Sequence, residues 1–357
     1  MPPLRRLLGC APLTSVPVAL GLAWLTPTHH NAIFLASIVA IVPLAGYIGR
    51  ATEELAAQLG AGMGGLLNAT FGNAAELIIG ALALRKGLTD LVKASLTGSI
   101  IGNVLLVFGA SALVGGLRHH TQRFNRTAAG MGTTMLLLSA IGLAIPAVFH
   151  RLAGGYPARE LRLDTEIAVV LFLTYGASLV FTLKTHRQLF GASEADDAHA
   201  GAGSVRSSVL MLVASTAAVA VVSEVLVDAV SHAADSLRMT QLFVGVVIVA
   251  LVGNAAEHYS AVVMAHRDKM DAAIGIAVGS STQIALFVAP VLVFLSYVIA
   301  PAPMDLLFTT FELVAIGLSV LAIAFIAHDG ETHWMEGVQL LAVYAILALG
   351  FYFLPAA

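Results

Sequence analysis

The sequence predicts an all-α polytopic membrane protein of about eleven transmembrane helices, with one extra N-terminal helix and two inverted five-helix repeats. Three observations carry this expectation. Of the 357 residues, 58% are hydrophobic and 11% are charged, whereas soluble domains carry about 25% charged residues. Apolar stretches recur along the whole chain, each near the roughly 20 residues that a helix needs to cross a bilayer. The pentapeptide Gly72-Asn73-Ala74-Ala75-Glu76 returns unchanged as Gly253-Asn254-Ala255-Ala256-Glu257, 181 residues later.

The predicted spans are 11–26, 31–49, 59–84, 90–116, 128–149, 165–184, 206–231, 239–265, 271–299, 304–327 and 333–354. They divide the chain into an N-terminal helix (1–30), a first repeat (31–185), a linker (186–205) and a second repeat (206–357). Arg5 and Arg6 precede an apolar stretch from Ala11 to Leu25, as in a signal peptide. No convincing cleavage site follows before Pro27, so a retained first span is expected. The polar stretch from Arg50 to Gln58 reads as a short connecting helix. Several spans are over-long and rich in glycine, which predicts tilted or interrupted helices. The linker carries Glu194, Asp196 and Asp197 among Gly, Ala and Ser and reads as a hinge between the repeats. Counting Lys and Arg in the loops favours a cytoplasmic N-terminus by 11 to 7, and an odd span number then puts the C-terminus outside.

The duplication extends beyond the pentapeptides. At the same offset Asp90 matches Asp271, Gly98-Ser99 matches Gly279-Ser280, and Glu54 matches Asp235. Five spans per repeat force the second copy into the opposite orientation, the plan of many secondary transporters, which bind their cargo near the bilayer midplane at the repeat interface.

The motif has its own chemistry. Each Glu lies in a bilayer-length apolar run, where an ionisable group is costly and by default marks an ion, proton or substrate site. Gly72 and Gly253 allow a helix to break or a backbone to approach closely. A break frees carbonyl oxygens, which are hard ligands for a hard cation. Asn73 and Asn254 offer amide oxygens or cap a half-helix. Glu76 and Glu257 together match one divalent cation in charge, and an emptied pair takes up protons because two like charges in an apolar setting do not both stay ionised. Cation and protons then compete for the same oxygens. After the motifs, Ser99 and Asn103 share a helix face, as do Ser280 and Gln283. These four read equally well as ligands or as interhelical hydrogen bonds.

Other polar groups carry weaker signals. Glu312 reads as a proton relay, a gate or a structural acid. Glu166, Glu224 and Asp228 fall near span ends and read as interfacial. His258 follows the second Glu and either tunes it or packs. Trp334, Tyr344 and Tyr352 suit packing and interfacial anchoring. Cys10 is the only cysteine, which excludes a disulfide framework or thiolate metal cage within one chain.

The stretch from Asn68 to Gly80 and the run from Gly253 to His258 resemble the cation/proton exchangers, the calcium/proton antiporters of the calcium/cation antiporter superfamily. The resemblance extends from Arg50 to Trp334, and His258 points to the proton-coupled branch. It implies eleven helices, an acidic segment between the sixth and seventh, and alternating access around a calcium site. It makes Glu76 and Glu257 the shared calcium and proton ligands and points to Asn73, Asn103, Asn254 and Gln283 as site-lining, with Ser99 and Ser280 nearby. Against the plant vacuolar members, the chain lacks a long N-terminal extension, which implies a prokaryotic inner-membrane protein.

The expected function is export of calcium in exchange for protons. The alternatives are sodium (or potassium)/proton exchange, sodium/calcium exchange and, from a different class, a passive cation channel. The expected partners are calcium ions, protons and the lipid bilayer, with a homo-oligomer left open. No basic cluster suggests nucleic acid. No nucleophile-plus-base constellation or phosphate-cradling loop suggests an enzyme, ATP use or a cofactor.

Overall fold

The computed structural model describes residues 2–59, 66–68, 70–186 and 204–355, with side chains from Thr14 onward. The predicted acidic linker residues Glu194, Asp196 and Asp197 lie outside the described residues. The described chain is helical apart from short connections and one two-residue ladder.

Helix α1 (Pro2–Leu25) precedes α2 (His30–Leu59). Leu66–Asn68 and Thr70–Phe71 are helical and lead through a turn at Gly72 and Asn73 into α3 (Ala74–Arg85). Then come α4 (Thr89–His119), α5 (Arg126–Ala153), α6 (Pro157–Thr185) and α7 (Val205–Ser236). Helices α8 (Gln241–Gly253) and α9 (Ala255–His266) meet at a bend of 62°. The chain ends with α10 (Met270–Ile299), α11 (Thr310–Ala327) and α12 (Trp334–Phe353). Among the described residues, eight helices are long and apolar enough to cross a membrane, or nine with the bent α8–α9 pair counted as one span.

Local sequence explains the helix ends. Asn125 and Ser204 accept backbone N–H bonds at the starts of α5 and α7. Thr309 and Glu312 form a reciprocal capping box at the start of α11, and His333 and Glu336 do so for α12. Two expectations are corrected here. The stretch from Arg50 to Gln58 is no separate connecting helix but the last turns of α2. The span predicted to begin at 304 begins at Thr310, where the capping box starts the helix; before it, 300–309 runs in an irregular segment that buries Met304, Leu306 and Phe308.

Boundaries match at the motif offset. Helices α3 and α9 start and stop 181 residues apart. Each closes the same way. Leu88 N–H bonds Ala83 O beyond Gly87 (φ 74°), and Lys269 N–H bonds Met264 O beyond Asp268 (φ 60°), the six-to-one closure of a Schellman motif. Helices α4 and α10 each contain a π-helical stretch beside their polar residues, at Gly102–Val107, which includes Asn103, and at Ile284–Val288, just past Gln283.

The bundle is sorted by polarity. Helices α4 and α10, which carry Ser99, Asn103, Ser280 and Gln283, are the most buried of the long helices. Helix α2 packs most extensively along α7, and α5 against α11. Leucine, isoleucine and valine side chains on α5, α6 and α7, such as Ile141, Leu173 and Leu210, point outward. In water such faces would be adhesive; in a bilayer they meet lipid. This is an integral membrane protein.

The crossing of α4 and α8 is very close. A Cβ on Gly98 would lie 1.9 Å from Val246 O, whereas one on the matching Gly279 would meet nothing within 4 Å. Gly98→Ala should therefore destabilise the protein by about 1–3 kcal/mol, as forced overpacking does, while Gly279→Ala should be nearly neutral. Thermal unfolding in detergent, read by loss of the monodisperse species, checks the contrast.

Candidate functional site

The two motifs place their carboxylates alike. Asn73 and Asn254 end the turn that breaks each helix, so Glu76 and Glu257 fall in the first turn of α3 and α9. Among the described residues, Asn73 and Asn254 are fully buried. Neither side chain caps its own helix. Both cross to the other half of the molecule instead.

The crossing bonds are reciprocal. Asn73 Nδ2 donates to Gln283 Oε1 on α10 at 2.6 Å. Asn254 Nδ2 donates to Ser99 Oγ on α4 at 2.8 Å and to its own helix at Ala250 O at 2.9 Å. Asn254 Oδ1 accepts from Asn103 Nδ2 at 3.2 Å. Each motif is thus held by the polar helix of the opposite half, through Ser99, Asn103 and Gln283.

The carboxylates occupy what remains. Glu76 lies against Gly253: a Cβ there would sit 3.0 Å from Glu76 Oε1, so a larger residue would press on the carboxylate. Ser280 on α10 donates a hydrogen bond to Glu257, and Glu76 lies within electrostatic range of Glu257. Four side-chain oxygens here are buried without a hydrogen-bond partner: Glu76 Oε2, Glu257 Oε2, Asn73 Oδ1 and Asn103 Oδ1. Buried acceptors normally have partners. All four are hard oxygen donors suited to a calcium-like cation, with charge from the two carboxylates. Among the described residues no group of three His, Cys, Asp or Glu side chains converges to hold a metal, so any ion here relies on neutral oxygens beside the Glu pair. A narrow crevice with no room for a water molecule adjoins the site, bordered by Ser99, Gly102, Val246, His258 and Tyr344.

The other sequence candidates are distributed around this centre. Glu312 is buried, caps α11 and accepts from Thr97 on α4 at 3.1 Å. Arg85 and Lys86, at the end of α3, pair with Glu224 and Asp228 on α7, and Glu166 pairs with Arg162. Lys93, near the start of the predicted 90–116 span, is buried in α4 and bonded to Asp305 at 2.9 Å. That pair and the buried Asp164 on α6 had no signal in hydropathy, because each falls at the edge of a span.

The fold and its centre are those of a polytopic membrane protein with paired carboxylates at two helix breaks. The chain belongs to the sodium/calcium exchanger protein family, whose profile matches residues 29–184 and 207–353. It is 42% identical to the Ca(2+)/H(+) antiporter of Aphanothece halophytica, over 96% of this chain and 95% of that protein. It is 46% identical to the Ca(2+)/H(+) antiporter ChaA of Bacillus subtilis (strain 168), over 90% and 92% of the respective chains. The solved structure of native YfkE superposes with a TM-score of 0.85 at 42% identity, covering 98% of this chain and all of that one. The resemblance to calcium/proton antiporters seen in the two motifs therefore extends over nearly the whole length.

The crossing bonds generate a stability prediction. Asn254→Ala removes the partner of Asn103 and Ser99 and leaves buried donor and acceptor groups unpaired, each worth about 1–3 kcal/mol. The variant should unfold at a lower temperature than Asn73→Ala, which breaks one such bond. A thermal melt of the two purified variants in the same detergent tests the order.

Proposed function

We propose that this protein is a secondary active antiporter that exports calcium from the cytoplasm in exchange for protons. The observation that carries this reading is the pair of carboxylates in the matching first turns of α3 and α9, each with a buried oxygen lacking a partner. Its relatives named as Ca(2+)/H(+) antiporters support the choice of ions. Glu76 and Glu257 hold either calcium or protons. Asn73 and Asn103 contribute amide oxygens, while Asn254, Gln283, Ser99 and Ser280 hold the frame. The matched ends of α3 and α9, together with the reciprocal crossing bonds, support two inverted repeats of five spans, one on each side of a 186–205 linker. Such a plan suits alternating access about a midplane site. The loop charges support a cytoplasmic N-terminus and an external C-terminus, in a prokaryotic inner membrane.

The competition has consequences. Loaded with calcium, or with both Glu side chains protonated, the site is electrically balanced and can reorient. Emptied and ionised, it carries uncompensated charge, at roughly 2.5–3.5 kcal/mol per group on insertion scales, so it should not reorient and should not leak. Two protons per calcium is then the minimum exchange. Calcium also accepts an irregular oxygen shell, whereas magnesium demands near-octahedral geometry and holds its waters, so this mixed donor set favours calcium.

Two measurements test the reading. Glu76→Gln and Glu257→Gln should each abolish proton-driven calcium flux in sealed vesicles while the protein stays folded; normal flux through either folded variant would rule out the shared site. Apparent calcium affinity should rise with pH, because protons must leave the carboxylates before the cation binds, and the reversal potential should require at least two protons per calcium. An affinity flat across the pH range in which the pair titrates, or a ratio below two, would refute direct competition.

A further inference from the structure

A second concentration of buried charge lies at the end of the bundle where α3 finishes and α4 begins. Its centre is Asp164 on α6, only 1% exposed. Asp164 Oδ2 accepts the Leu306 N–H at 3.2 Å, whereas Oδ1 is buried without a partner. Leu306 belongs to the 300–309 segment that joins α10 to α11. This segment is a strap tied to three helices. Lys93 on α4 donates to Asp305 Oδ1 and Leu307 O, Asp164 holds Leu306, and Ser296 on α10 accepts the Met304 N–H at 2.8 Å. Within the strap, Met304, Leu306 and Phe308 are buried.

The donors nearby are already used. Lys93 has three N–H groups, and Asp305, Leu307 O and Asp90 take them up. The charged groups within electrostatic range of Asp164 are Asp305 from the strap, Glu160 one turn earlier on α6 and Lys93 from α4. His150 is bonded to Glu160 Oε2 at 2.8 Å, while Glu160 Oε1 is itself buried without a partner. Tyr297 is paired with Thr165, and Glu312 with Thr97 and the Thr309 N–H. None supplies a donor to Asp164 Oδ1. An ionised carboxylate only accepts hydrogen bonds, whereas the neutral acid also donates one.

We propose that Asp164 is a second proton-binding site of this protein, separate from the glutamate pair, and that its proton is coupled to the seating of the 300–309 strap. The step is a protonation alone. A proton from the aqueous phase at that end adds to a carboxylate oxygen, one O–H bond forms and the charge is neutralised. The ionised form holds the Leu306 N–H through a charge-assisted bond, which is roughly twice as strong as a neutral one. Protonation therefore loosens the strap. Lys93, which the strap binds, lies on α4, the helix that also carries Ser99, held by Asn254. Resting on the exchange reading above, this links proton arrival at one end of the bundle to access to the central site.

The test uses the full chain reconstituted in lipid, in the Glu76→Gln/Glu257→Gln background, so that the central pair does not titrate. pH-difference infrared spectra should show a buried carboxylic-acid carbonyl band that disappears with Asp164→Asn and shifts with Asp164→Glu. Hydrogen–deuterium exchange of the peptide containing Leu306, corrected for intrinsic rates, should quicken roughly threefold to tenfold as that band appears, the range for weakening one such bond. In Asp164→Asn it should not depend on pH. A band untouched by Asp164→Asn, or strap exchange that ignores the band's titration, overturns the proposal. Should Asp164→Asn not fold, the band shift in Asp164→Glu and the exchange of the parent carry the test. Neither readout measures transport, so failure here is distinct from failure of calcium/proton exchange in vesicles.

Discussion

An amide buried among apolar helices must find its partners inside the protein, because lipid offers none. Here Asn254 finds them on α4, at Ser99 and Asn103, and Asn73 finds its partner on α10, at Gln283. Neither half satisfies its own motif. The broken helix of each half is positioned by the unbroken polar helix of the other, so the halves assemble around a shared seam. With the amide nitrogens committed to this seam, the oxygens of Asn73, Asn103, Glu76 and Glu257 remain uncommitted. One set of residues thereby both joins the molecule and leaves buried acceptors without protein partners.

The seam also imposes its geometry on the packing. The α4 backbone approaches α8 so closely at Gly98 that no side chain fits, and this brings Ser99 within reach of Asn254. The π-helical stretches at the polar residues of α4 and α10 are the kind of local widening that recurs at functional sites. Around this polar interior, the outer helices show aliphatic faces outward, as lipid requires and water would not allow.

Much of this was legible in the sequence because membrane chemistry penalises charge so heavily. Repeated pentapeptides inside apolar runs pointed to Glu76 and Glu257, and one offset matched their surroundings. The helical, polytopic fold follows from span length alone. Interactions between distant segments were not legible. Nothing local tells Asn73 and Asn254 to reach across instead of capping their own helices. Lys93 and Asp305 are 212 positions apart and lie at span edges, where hydropathy reads a charge as solvated. Arg50 to Gln58 was misassigned for a related reason: its polar residues suggested a break, whereas Arg50 pairs with Glu54 one turn along and the helix simply continues.

Glu312 serves two helices at once. Through Oε2 it completes the cap of α11, and through Oε1 it accepts from Thr97 on α4. In an α-helix each residue turns by about 100°, so even a small rotation of α4 about its axis would draw Thr97 away from that oxygen. The first turn of α11 would then lose the brace that fixes its cap. The two helices therefore behave less like neighbouring pillars than like a pair of meshed shafts, in which torque on the one that carries Ser99 and Asn103 is transmitted to the other at its very first tooth.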